Sequence, residues 1–144
     1  MIPCIDGQET KAMEKVKTIA VNVAVIALIS VALIWGNTLY RQHAQFEKGE
    51  KGWSAGDFTA AVAGYEAAIH MYTPGSPTVE RSAENLWRIG QMAEQNRDAA
   101  RALIAYRALR SSFYAAAGVY TPGEVWIKRC DARIAALVQM QQGR

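Results

Sequence analysis

Residues 18–40 carry no charged side chain, although a fifth of the 144-residue chain is charged. A gap of 23 residues decides which solvent the segment can meet. A helix needs roughly 20 mainly apolar residues to cross the hydrocarbon core of a bilayer. The stretch TIAVNVAVIALISVALIW, built from Val, Ile, Leu and Ala, meets that length. A secretory signal has a shorter apolar region, about 7–15 residues, followed by a small-residue cleavage site. No such site follows here: the run ends in Ile34-Trp35-Gly36-Asn37-Thr38-Leu39-Tyr40. Trp35 and Tyr40 stand at its edge, where amphipathic rings favour the headgroup level. The bland alternative is a buried core helix, but a domain this small has little room to hide it. The expectation is an uncleaved, single-pass membrane anchor.

Other scarcities narrow the chemistry. There are two cysteines and two histidines. Cys4 precedes the apolar run, so it is not the lipid-bearing cysteine that follows a signal. If the run spans, Cys4 and Cys130 lie on opposite sides and cannot pair within a chain. Cys130 falls in an apolar-periodic stretch and reads as a small buried side chain. His43 and His70 have no second ligand at metal spacing. No glycine-rich phosphate loop, nucleophile elbow or paired carboxylate motif occurs, so no catalytic residue, cofactor or metal is expected. No segment has the pattern of a strand.

Charge is mild. Residues 41–144 hold 13 Lys+Arg and 10 Asp+Glu, an excess of three, without the concentrated basic face that nucleic acid calls for. Arg81, Arg88, Arg97, Arg101, Arg107 and Arg110 are interleaved with acids, as on a solvated helix surface. The functional alternative is an arginine face for anionic headgroups or an acidic peptide. Lys11, Lys15 and Lys17 crowd the N-terminal flank of the run, whereas only Arg41 lies close on the other, with Lys48 and Lys51 further out, so the bias lies within one or two turns and is three against three over 15 residues. That bias favours a cytoplasmic N-terminus and an extracytoplasmic C-terminal domain, periplasmic if the membrane is the bacterial inner (plasma) membrane.

Beyond the run the chain reads as helix. The anchor helix is expected to continue through Ser54, since no proline intervenes. Asp57 caps a helix to Tyr72 with Phe58, Ala61, Val62, Tyr65, Ala68 and Ile69 on one face. Ser76 and Pro77 start the next, which runs to Gln95 with Val79, Ala83, Leu86, Trp87, Gly90 and Ala93 inward. Asn96-Arg97-Asp98 forms a turn, and Asp98 caps a helix bearing Ala102, Leu103, Tyr106, Leu109 and Phe113. Thr121-Pro122-Gly123-Glu124 reads as a capping box opening the last helix at Pro122. That helix carries Trp126, Ile127, Cys130, Ile134, Leu137 and Val138.

The chain also matches itself at a shift of 41 residues. Gly49 aligns with Gly90, Asp57 with Asp98, Ala61 with Ala102, Tyr65 with Tyr106 and Ala67 with Ala108. Tyr72-Thr73-Pro74-Gly75 recurs as Tyr120-Thr121-Pro122-Gly123. Fixed periods of about 20–50 residues mark stacked helical hairpins. This pattern resembles the tetratricopeptide repeat. The first copy supplies Gly49, Gly56-Asp57-Phe58, Ala61, Tyr65, Ala68 and Pro74; the second supplies Trp87, Gly90, Asp98, Ala102 and Tyr106. It departs in the longer period, the displaced proline, Leu109 at a small position, and a missing early aromatic in the first copy. An ordinary α-hairpin bundle is the alternative.

The expected architecture is all-α. Residues 1–17 form a short tail, 18–40 the transmembrane helix, 41–121 two tetratricopeptide-like hairpins, and 122–144 a capping helix and tail. The resemblance implies a non-catalytic protein-binding module, a scaffold or accessory subunit of a membrane complex. A self-assembling structural protein, or a membrane-tethered chaperone or targeting factor, stands as the alternative. Expected partners are membrane lipid, other subunits or peptide segments, or a second copy. Arg88, Gln91 and Gln95 would line the concave face, with Trp53 and Trp126 as further exposed contacts. Within the anchor, Ala20, Ala24 and Ala27 offer a small-residue face and Asn22 an amide for packing against another helix.

Overall fold

The computed structural model of the chain describes residues 6–118 and 121–143. Cys4 and Tyr120 lie outside them. Five helices follow in order: α1 (Asp6–Ser54), α2 (Phe58–His70), α3 (Pro77–Gln95), α4 (Ala99–Ala116) and α5 (Glu124–Gln142). No strand occurs among the described residues. The chain divides into two compact units between Asn37 and Thr38.

The first unit holds the apolar run. Lys11–Ser54 contains an 18-residue window of mean hydropathy 2.4, none of it buried, so this helix is long and apolar enough to cross a membrane. Inside it the hydroxyls serve the helix itself. Thr18 donates to the Glu14 carbonyl at 2.9 Å and Ser30 to the Ile26 carbonyl at 2.8 Å.

In the second unit, Thr38–Arg144, small residues set the helix spacing. A Cβ on Gly64 would stand 2.3 Å from the Gly49 backbone nitrogen, and one on Gly52 2.6 Å from the Ala61 nitrogen. The end of α1 and α2 therefore touch backbone to backbone, an approach only glycine permits. The rings of Tyr65 and Tyr106 fill the space left at Gly49 and Gly90, where a Cβ would meet them at 2.7 and 2.5 Å. Both tyrosines are almost wholly buried, in a core with Leu86, Leu109, Phe113, Ile69 and Cys130.

Contacts fix the helix directions. Gln42 meets Met71 and Gly49 meets Gly64, so α2 runs against the end of α1. Phe46 meets Arg81 and Glu50 meets Asn85, so α3 runs with α1. Glu80 meets Trp126 and Glu94 meets Arg133, so α5 runs with α3. Gly90 lies against Tyr106, and a three-residue turn joins α3 to α4, which runs against them.

The turns after α1 and α3 are alike bond for bond. Gly56 bonds Trp53 and Asp57 bonds Gly52 in one; Arg97 bonds Glu94 and Asp98 bonds Ala93 in the other. Gly56 has φ 73° and Arg97 φ 59°, both left-handed. Asp57 then accepts from the Ala60 N–H and Asp98 from the Arg101 N–H, the caps expected of them.

Three local expectations are corrected. α2 ends at His70 rather than Tyr72, because the side-chain amide of Gln42 takes the carbonyls of Ala68 and Met71 at 3.2 and 2.8 Å. The Ser76 hydroxyl makes no cap bond and donates instead to Gln42 Oε1. α5 starts at Glu124, two residues late, with no side-chain cap from Thr121. Gly123 is left-handed there, and a Cβ on it would lie 2.3 Å from the Phe113 ring. Packing on Phe113 thus overrides the local capping signal.

Candidate functional site

α3 buries Val79, Ser82, Ala83, Leu86, Ile89, Gly90 and Ala93, which turns Arg88, Gln91 and Gln95 to solvent. They open onto two clefts. The smaller, about 60 Å³, is lined by Glu50, Trp53, Tyr65, Asn85, Arg88 and Ile89. The Glu50 carboxylate accepts from the Tyr65 hydroxyl and the Asn85 amide, each at 2.7 Å, and so ties α1, α2 and α3 at its floor. Burial, and after it the Glu50 carboxylate, push the Tyr65 hydroxyl well above the usual tyrosine value. Arg88 is exposed and forms no ion pair or hydrogen bond among the described residues. Trp53 forms the outer wall, 38 % exposed.

The larger cleft, about 340 Å³, is lined by Trp87, Gln91, Glu94, Gln95 and Arg133. Arg133 binds Glu94 through two nitrogens, with Nε to Oε1 at 3.1 Å. Burial alone would lift the Glu94 carboxyl, but the Arg133 fork outweighs it and holds the acid below the usual carboxylate range. Trp87 packs at a tilt, with ring centroids 5.0 Å from Tyr106 and 6.1 Å from Trp126. The Tyr106 hydroxyl is buried without a hydrogen bond of ordinary geometry among the described residues. Burial first, then the neighbouring Glu94 carboxylate, raise it well above the usual value.

The expected contact residues therefore divide. Arg88 and Trp53 share one cleft, and Gln91 and Gln95 the next. Trp126 is not exposed: it is 93 % covered, and its indole N–H donates to Glu80 at 3.1 Å. Glu50, Asn85 and Arg133 also belong to these clefts and carry no signal in the sequence, and Trp87, expected on the inward face, lines the larger one. The Glu94–Arg133 pair joins residues 39 apart and the Glu50–Asn85 bond residues 35 apart, and no local spacing signals them.

In the apolar run, Ala20, Ala24 and Ala27 share one side of the helix. Asn22 lies about 200° around from Ala20 at about 100° per residue, so the structure puts the amide on the opposite side. Elsewhere, no group of three acids, histidines or cysteines able to hold a metal occurs among the described residues. His43 and His70 are exposed and lie beside Glu47 and Glu66 one turn away. The Cys130 thiol is buried and pushed up to about 12, by burial first and Asp131 second, so it is protonated at neutral pH. No protein-family model, curated protein or solved structure matches the chain.

Proposed function

We propose that the chain is a single-pass membrane protein. Its N-terminus faces the cytoplasm, and its helical domain is a tetratricopeptide-like module that binds partner proteins outside. Its role is that of a non-catalytic scaffold or accessory subunit of a membrane complex. The observation that carries the binding role is the open side of α3. There Arg88, Gln91 and Gln95 stand free between two clefts, one walled by exposed Trp53. An aromatic wall beside an unpaired arginine suits an acidic or polar peptide segment, because arginine offers five donors in a rigid fork. The matching turns, the glycine–tyrosine contacts and the parallel course of α1, α3 and α5 support the repeat reading.

Two observations support the anchor. The apolar window is uncovered, whereas a soluble core helix would be buried. The run is also longer than a signal's apolar region and has no cleavage site after it.

The test is gentle detergent extraction from the native host through a C-terminal tag, with native mass measurement. Fixed partners at whole-number ratios are expected, and Arg88→Ala with Gln91→Ala releases them without loss of helicity. A lone homo-oligomer or a smear of unrelated clients overturns the subunit role. Undiminished partner binding by the double variant overturns the α3 site.

A further inference from the structure

The helical domain has two unlike ends. At one end lie the turns after α1 and α3, which carry Asp57, Arg97 and Asp98. The other end is where the chain enters the domain at Thr38. Gln42, two residues beyond Tyr40, is bonded to Met71 and Ser76, which brings the α2–α3 connection to this end. The Trp126–Glu80 bond and the Gly123–Phe113 contact bring the end of α4 and the start of α5 to it as well.

These two connections share a composition. Residues 71–79 and 111–123 contain no charged side chain, 9 and 13 positions respectively. Part of each stretch is exposed: Tyr114 is 52 % exposed, and beside the two stretches Val125 is 62 % and Tyr40 76 % exposed. Pro74, Pro77 and Ala117 are exposed beside them. The nearest acids are occupied: Glu80 accepts from Trp126, and Glu124 pairs with Lys128 at 2.7 Å. Arg41 and Arg81 border the end, and Arg81 lies 4.8 Å over the Phe46 ring with no acidic partner among the described residues.

Exposed tyrosine and small apolar residues, edged by arginine and by the exposed Glu124–Lys128 pair, match the interfacial layer of a bilayer, where aromatic rings sit at the headgroup level and cations meet lipid phosphate. We propose that this end of the domain, presented by Tyr40, Tyr114 and Val125, is seated on the bilayer interface rather than held off it in water. Lipid is the occupant because this end is where residues 18–40 enter the domain. Tyr40 itself closes that uncharged run. The proposal rests on the anchor reading above.

The test uses the full chain carrying Cys4→Ser. Cys130 stays unlabelled, since its thiol is buried and protonated at neutral pH. Single labels at Tyr114→Cys, Val125→Cys, Gln95→Cys and Ile29→Cys are read in phosphatidylcholine vesicles. One set of vesicles holds a headgroup-level quencher lipid and the other an aqueous quencher. The expected result is Ile29 shielded from the aqueous quencher, and Tyr114 and Val125 quenched several-fold more by the lipid than Gln95 is. Ile29 shielded, with Tyr114 and Val125 as aqueous as Gln95, overturns the seating and leaves the anchor standing. Tyr114 and Val125 shielded from both quenchers assigns this end to a second copy and also overturns the seating. Ile29 open to the aqueous quencher overturns the anchor and the seating with it.

Discussion

Arg97 holds φ 59° at the position where the matching turn has Gly56. A left-handed backbone costs a residue with a Cβ about 1–2 kcal/mol, partly offset by the greater freedom glycine loses on folding. Arg97→Gly should therefore raise stability by about 0.5–1 kcal/mol, and Gly56→Ala should lower it by a similar amount. A shift of the urea midpoint in the opposite sense for either variant would show that the turns differ in strain. Gly64 is the reverse case. Its Cβ would strike the Gly49 backbone, which cannot rotate aside, so α1 and α2 must separate. Overpacking of this kind costs about 1–3 kcal/mol. Gly64→Ala should lose that much despite alanine's better helix propensity, whereas Gly36→Ala, with nothing within 4 Å, should not destabilise.

At the scale of the element, Gln42 is the junction. One wholly buried side chain closes the end of α2 and fixes the start of α3. Gln42→Ala strands the Ala68 carbonyl and the Ser76 hydroxyl, while the Met71 carbonyl keeps the Thr73 hydroxyl as donor, and each buried group left without a partner costs about 1–3 kcal/mol. Hydrogen exchange should quicken at residues 68–78 before it does in α4; uniform loss of protection would mean that Gln42 serves global stability alone. The tie between α3 and α5 answers to pH. Glu94 is held below the usual carboxylate range when folded. Its contribution is therefore fully present above the ordinary glutamate value and fades as pH falls through the lowered folded one. Acid unfolding of Glu94→Gln should show a shallower loss over that window. An unchanged acid limb would put the sensitivity elsewhere.

The elements themselves were legible because their signals are local. Spacings of three and four placed the inward faces of α2, α3 and α4, and Asp57 and Asp98 cap within three residues of themselves. Gln42 carries no such signal, since its partners lie 26 to 34 positions away. The start of α5 misled for the same reason: Phe113, ten residues back, decides the Gly123 backbone. Arg88, Gln91 and Gln95 came from the tetratricopeptide resemblance, which implies a concave face on this helix, and the structure leaves all three exposed. Trp126 did not, because it sits on the apolar stripe and only its indole N–H needs a polar partner.

At the scale of the molecule, two readings of the apolar run lead to different molecules. A cleaved signal would release the helical domain from the membrane and shorten it. An anchor leaves the whole 15.8 kDa chain in the bilayer. The 23-residue uncharged run favours retention, since a span of about 20 residues is enough to cross and a signal's apolar region is about 7–15. The intact mass should therefore be found in membranes after an alkaline carbonate wash, with no shorter form in the soluble fraction. The proposed orientation rests on the three lysines that crowd the N-terminal flank within one or two turns, against Arg41 within that distance on the other, with Lys48 and Lys51 further out. Protease added to intact cells with a permeabilised outer layer should remove a C-terminal tag and spare an N-terminal one. The reverse pattern would place the α3 clefts in the cytoplasm and redirect the search for partners there. Loss of both tags would mean that the run does not span at all. Arg41→Ala should strengthen the expected orientation, and replacing Lys11, Lys15 and Lys17 by glutamine should weaken it, because basic residues near the span set its direction and acids count for little.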